Sequence, residues 1–250
     1  LRVPREPAVW GRFAVMGAAG ILVPFAAIAW GTQFIPSGLS AILNASMPLF
    51  TFLIAIAWGD ERASVRRAVG VLVGLAGILV LTWPQLRGGV QASLLGELAI
   101  ILASASYAVA IVYARHALRG QPPLMASLGQ VSTGFALLLP VALLERPWQM
   151  APSARALGAV VALGVLGTAL AYILYYRLLQ QVGATGTSIV TYIVPVFGVF
   201  WGWVVLGERL SWHAFAALAL ILCGMLLINR LPGRAQAPRQ GVPHASADIG

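Results

Sequence analysis

Charge is what this chain has least of. Only 9% of its 250 residues are charged, against about a quarter in soluble domains, which excludes an ordinary soluble fold. Lysine is absent, so every basic residue other than histidine is arginine. The single cysteine, Cys223, excludes an intrachain disulfide, and its apolar setting reads as a buried, inert thiol. His116, His213 and His244 are isolated from one another in or near different loops. Zinc-type ligand spacing is missing, so no metal and no cofactor is expected. No ionisable residue lies near the middle of an apolar run, which excludes a central carboxylate relay of the kind found in ion-driven pumps. Catalysis would need a nucleophile, paired acids or a metal cluster facing a cavity, and the short polar loops offer none.

What the chain has is apolar length. Hydrophobic residues make up 60% of it, and its mean hydropathy is +0.87. Crossing about 30 Å of hydrocarbon takes roughly 20 residues of helix. Eight such segments can be read: A, Phe13–Ile35; B, Gly38–Gly59; C, Val65–Trp83; D, Leu94–Ala114; E, Met125–Leu144; F, Ala156–Tyr176; G, Gly186–Leu206; and H, Trp212–Asn229. The fold class is therefore all-α, a polytopic helical membrane protein. Trp10, Trp58, Trp83, Trp148 and Trp212 fall at segment edges, where aromatic belts sit. The polar, proline-containing tail 231–250 cannot bury enough surface to fold and is expected to be disordered. Leu1 is not a methionine and opens a polar stretch, which reads as a start partway through a longer protein.

The net charge of +9 speaks of topology rather than of nucleic acid. Eight crossings place both chain ends and the B–C, D–E and F–G junctions on one side, with twelve of the sixteen arginines; the other side has Arg87, Arg146, Arg155 and Arg209. Basic residues are retained in cytoplasmic loops, so both ends are expected in the cytoplasm and the protein in the inner membrane.

A stretch of the sequence also returns. Met47-Pro48-Leu49-Phe50, Glu61-Arg62-Ala63-Ser64 and Gly77 come back as Val194-Pro195-Val196-Phe197, Glu208-Arg209-Leu210-Ser211 and Gly224, at a constant spacing of 147 residues. Five crossings separate helix B from helix G, so the second copy is expected upside down. Inverted repeats of this kind underlie alternating access.

With its mid-helix proline, Gly-Glu-Arg turn and late glycine in each copy, the chain resembles the EamA family of drug/metabolite transporters. Ser93-Leu94-Leu95-Gly96-Glu97-Leu98 and Ala105-Ser106-Tyr107-Ala108 are similar to the opening of that family's second repeat. The resemblance implies a five-plus-five arrangement of helices around a cavity, with both ends cytoplasmic. In that frame residues 1–84 are the last three helices of the first repeat and 93–230 the complete second repeat; two N-terminal helices, the first of which contributes to the family's cavity, are expected to be missing. It further implies an efflux carrier for an amino acid or a drug-like compound. A non-transporting subunit or receptor, and then a membrane-embedded enzyme, are the alternatives.

With no charge at depth, substrate would be held by neutral polar and aromatic side chains. Helices A and B offer Gln33, Ser40 and Asn44, and helix D offers Ser104 and Tyr107. Helix F offers Tyr172, Tyr175 and Tyr176; helix G offers Thr187, Thr191 and Tyr192. Asn44 and Thr191 are repeat mates, as are Ser40 and Thr187. The bland alternative is that these groups satisfy carbonyls of their own helix or bridge helices. Pro48 and Pro195 read either as hinges or as static kinks. Glu61, Arg62, Glu208 and Arg209 read as structural turn residues, capping the next helix with Ser64 or Ser211 and pairing locally. Glu97 is the one acid placed to couple protons, but its position in the first turn of helix D favours an interfacial role on the helix dipole. Gly70, Gly74 and Gly77 form a small-residue face, as do Gly17 and Gly20. Packing within the bundle is the expected use, a homodimer seam the alternative.

Overall fold

Lipid offers a backbone no hydrogen-bond partner, so apolar runs of this length satisfy themselves as helices. The computed structural model describes residues 6–62, 64–87, 92–117, 123–144, 146, 149, 151–170, 174 and 190–228. Among them there is no strand. Helix α1 (Pro7–Gly17) passes through a π-helical segment, Ala18–Leu22, into α2 (Val23–Gly31). Then follow α3 (Ser37–Asn44), α4 (Met47–Ala57), α5 (Val65–Arg87), α6 (Ala92–Ala117) and α7 (Pro123–Leu144). Helix α8 (Ala154–Ala162) continues as a second π segment, Leu163–Leu170. Helices α9 (Val190–Leu206) and α10 (Trp212–Ile228) end the described chain.

Each of the eight expected segments finds a helix. Five are long and apolar enough to cross a membrane: Pro7–Gly31, Ser37–Ala57, Val65–Pro84, Ala92–Ala117 and Met125–Leu144. Ala154–Gly167, Tyr192–Leu206 and Trp212–Ile228 are shorter apolar helices. The tail expected to be disordered lies outside the described residues.

The first two spans differ from their expected form because each is broken. Pro24 has no N–H to give, and the helix before it widens into the π segment. Pro48 does not kink a continuous helix. Helix α3 stops at Asn44, Ala45 and Ser46 form a turn, and Pro48 enters the first turn of α4, where a missing N–H costs nothing. Its mate Pro195 does stand inside a helix, α9, and is fully buried.

Glycine sets the main packing. A Cβ on Gly70 would lie 2.8 Å from the Gly224 carbonyl, and one on Gly77 would lie 3.0 Å from the Ala217 carbonyl. Helices α5 and α10 thus run antiparallel at backbone contact. The two contacts also exchange with each other under the 147-residue spacing, since Gly70 pairs with Ala217 and Gly77 with Gly224. The stripe on α5 is therefore occupied within the bundle, by α10 and by Leu49 against Gly74. Around this seam Ile42, Leu43, Leu49, Ile100, Ile221 and Met225 form the buried core. Cys223, on the outward side of α10, is exposed rather than buried, because an apolar neighbourhood in sequence does not tell a protein-facing position from a lipid-facing one.

The two ends of the bundle differ. At the arginine-rich end Glu61 meets Arg67 at 2.8 Å and Arg115 at 3.8 Å, and Asp60 meets His116 at 2.7 Å. The Arg12 guanidinium donates to the Ala117 carbonyl there. The opposite end gathers Ser37, Gly38 and Glu208, and a groove of about 350 Å³ lined by Leu79, Val80, Trp83, Trp212 and His213.

Candidate functional site

Both broken spans are interrupted at their middles, and α6 stands between the interruptions. A π turn asks residue i+5 to donate to residue i; at Ala19 that residue is Pro24, which cannot. The orphaned Ala19 carbonyl instead accepts the Ser106 hydroxyl of α6 at 2.7 Å. Gln130 of α7 lays its amide nitrogen against Gly20 in the same segment. Thr133, one turn on, donates to the Phe13 or Gly129 carbonyl, each at 2.7 Å. Removing the Ser106 hydroxyl leaves a partly buried carbonyl without a donor. Ser106→Ala is expected to cost about 1–2 kcal/mol, read as a lower melting temperature in detergent, whereas Ser93→Ala near the start of α6 should have little effect.

The second break faces another side of α6. Ser104, fully buried, places its hydroxyl 3.3 Å from Asn44 Oδ1, 3.4 Å from the Leu43 carbonyl and 3.0 Å from the Ile100 carbonyl. One proton serves these acceptors in turn. Ser46 closes the turn by donating to Leu43 at 2.6 Å. Ser40 is buried one helical turn before Asn44, and Tyr107 is half-buried one turn after Ser104.

Of the residues singled out by sequence, the structure brings together Asn44 and Ser104, with Ser40 and Tyr107 nearby in register. Gln33 stands apart, exposed at the end of the first span, its amide donating to the Ala29 carbonyl at 3.3 Å. Tyr172, Tyr175, Tyr176 and Thr187 lie outside the described residues; Thr191 is in the first turn of α9 with its side chain outside them. Tyr192 reaches the Met225 carbonyl of α10. Sequence reading missed Ser46, Ser106, Gln130 and Thr133. The available signal was Pro24, which sits in the middle of an apolar run much as Pro48 does.

The repeated turns also take definite partners. The Glu61 amide donates to the Ala55 carbonyl at 3.3 Å and the Glu208 amide to the Gly202 carbonyl at 3.1 Å, the same bond in both copies. A left-handed glycine opens each turn, Gly59 at φ 82° and Gly207 at φ 66°. Rather than capping α10, the Glu208 carboxylate crosses to α3 and accepts the Ser37 and Gly38 amides at 2.7 and 2.9 Å. Partial burial alone would raise its pKa. Bonds from the Gly38 amide and from the Ser37 hydroxyl and amide overcome that and hold it below 4.5. Arg62 and Arg209 are exposed.

The chain as a whole has matching relatives. The sequence profile of the EamA-like transporter family matches residues 2–83 and 94–230. The chain belongs to the EamA-like transporter family. The gap in the match falls at the junction of α5 and α6. The chain is similar to the uncharacterized transporter YoaV of Bacillus subtilis, 26% identical over 216 residues, covering 85% of this chain and 71% of that one. It resembles the uncharacterized inner membrane transporter YedA of Escherichia coli K12 at 26% identity, covering 79% of this chain and 63% of that one. A crystal structure shares its fold at a TM-score of 0.50 and 23% identity, covering 93% of this chain and 90% of the other. As an EamA-like transporter the protein is a multi-pass membrane protein, and its exposed apolar side chains on α7, α8 and α9 are lipid-compatible surface.

Proposed function

We propose that the protein is a carrier that moves a small organic metabolite, an amino acid or a drug-like compound, outward across the cytoplasmic membrane by alternating access. The observation that supports this most is the pair of mid-span breaks on either side of α6. Non-helical backbone at that depth is found where it is buried in protein or lines a cavity, and in transporters it marks the binding site. The exchange of the α5–α10 contacts under the repeat spacing supports two inverted halves that rock about that seam. The arginine count supports cytoplasmic placement of both ends of this chain. Asn44, Ser104 and Tyr107 are proposed to hold substrate, with Ser40 behind them; Pro48 and Pro195 border the parts that move. With only neutral groups at the breaks, the site suits a neutral or zwitterionic compound.

The test is transport of a panel of amino acids and small amphiphiles in vesicles carrying the full protein. Asn44→Ala should slow transport of the responsive compound about three- to tenfold, the loss of one hydrogen bond, while melting temperature stays near wild type. If no compound moves, the carrier reading fails; if transport is indifferent to Asn44→Ala and Ser104→Ala, the site assignment fails.

A further inference from the structure

Glu97 is wholly buried, and neither of its carboxyl oxygens has a hydrogen-bond partner among the described residues. It stands in the second turn of α6, inside the span Ala92–Ala117, and is covered by protein rather than left at the surface. A close tertiary contact adjoins it. A Cβ on Gly31 would lie 2.8 Å from the Gly96 carbonyl and one on Gly96 would lie 2.9 Å from the Gly31 carbonyl, so α2 and α6 touch backbone to backbone beside it. Phe34 and Ile35 close over the same glycine.

Among the described residues no opposite charge faces this turn. Helices α2, α3 and α4, the π segment 18–22 and the connection 32–36 contain no titratable side chain. On α5, Arg66 and Arg67 lie at the arginine-rich end and Arg87 lies over the Trp83 ring. Arg12 of α1 is engaged at Ala117, at the far end of α6, near Arg115 and His116. Tyr107 and Tyr113 are further along α6, and Glu208 is held by α3. A bare carboxylate here would cost several kcal/mol. A metal ion would need further charged ligands, and no group of three His, Cys, Asp or Glu side chains occurs among the described residues. A proton needs only the carboxyl itself.

We propose that Glu97 is the proton site of this carrier: it holds a proton while α2 and α6 are closed at Gly31 and Gly96, and releases it to water when they part. Seven residues separate Glu97 from Ser104 on one face of α6, about 10 Å along the helix. A shift of α6 that opens the glycine contact therefore also moves the hydroxyl beside Asn44. Proton release and substrate release are thereby joined through one rod. The coupling half of the proposal rests on the carrier reading; the proton-binding half does not.

Infrared spectra of the purified protein in nanodiscs test the first half. At neutral pH the wild type should show a carboxylic-acid carbonyl band that is slow to shift in D2O and is missing from Glu97→Gln. Identical spectra for the two proteins in that region would mean an ionised Glu97 and overturn the proposal. The second half is read in vesicles with whichever panel compound the wild type moves. Glu97→Gln should keep exchange of that compound at equal concentrations and lose its uphill movement driven by a pH gradient. Uphill movement retained by the variant, or exchange and uphill movement lost together, would overturn coupling through Glu97. The infrared result stands even if no panel compound is moved, so failure of the carrier reading remains distinguishable.

Discussion

Gly224→Leu should lower the melting temperature of the detergent-solubilised protein by about 6–12 °C, the shift that a loss of about 3 kcal/mol gives in a chain of this size. The cost arises because the atoms in the way belong to backbone. A Cβ at Gly224 would lie 2.6 Å from the Gly70 carbonyl, 2.8 Å from the Gly74 nitrogen and 2.9 Å from the Gly74 Cα, and no rotamer change can relieve such contacts. The helices would have to separate, and with them the buried faces of Ile221 and Met225. Without a hydrophobic drive between helices in lipid, close packing of this kind supplies much of the association. Gly158→Ala is the matched control: nothing lies within 4 Å of its Cβ position, so it should leave the melting temperature almost unchanged. The same experiment separates a bundle seam from a dimer seam. Substitution in a bundle seam lowers the melting temperature at every protein concentration. Substitution in a dimer seam would change the oligomeric state first, and that outcome would refute the assignment of this stripe to α10.

What sequence made legible, and what it did not, follows from where the physics is local. Apolar length marked the helices because spanning lipid is a local requirement, met residue by residue along Val65–Arg87 or Ala92–Ala117. The breaks were half legible. Pro48 was visible, yet whether it kinks a helix or begins one depends on where Asn44, Ala45 and Ser46 find partners. Pro24 was equally visible, but its consequence, a carbonyl handed to Ser106 at a separation of 87 residues, is tertiary. Glu97 shows the same limit. Its place near the start of a helix argued for an interface, and its complete burial beside the Gly31–Gly96 contact appears only in three dimensions. Cys223 was misplaced because lipid-facing and protein-facing positions share one composition. Glu208 read as a local turn residue because sequence cannot show a partner 171 positions earlier.

That partner makes Glu208→Gln the second large effect. The amides of Ser37 and Gly38 are among those that open α3 and have no acceptor within the helix, and the carboxylate supplies one from a turn 171 residues later in the chain. Close approach depends on glycine, since a Cβ on Gly202 would lie 2.5 Å from Glu208 Oε2. Bonds to a charged acceptor are worth about 1.5–3 kcal/mol each when buried, and partial exposure of this pair reduces the sum to about 2 kcal/mol. Amide hydrogen exchange over residues 37–44 should therefore quicken about 30-fold in Glu208→Gln at neutral pH. Gly202→Ala, which pushes the carboxylate away without changing its charge, should do the same, while Arg209→Ala should not. The pH dependence has a fixed sign. Docked on α3 the carboxyl has a pKa below the ordinary 4.5, so the docked state binds the proton less readily than the free one. Its contribution is complete above that ordinary value and is lost as pH falls through the lowered, docked value. Wild type and Glu208→Gln should thus differ undiminished from neutral pH down to the ordinary carboxylate value and converge only in stronger acid. Convergence near neutral pH instead would mean that the bond from Glu208 to α3 does not hold this end of the bundle closed.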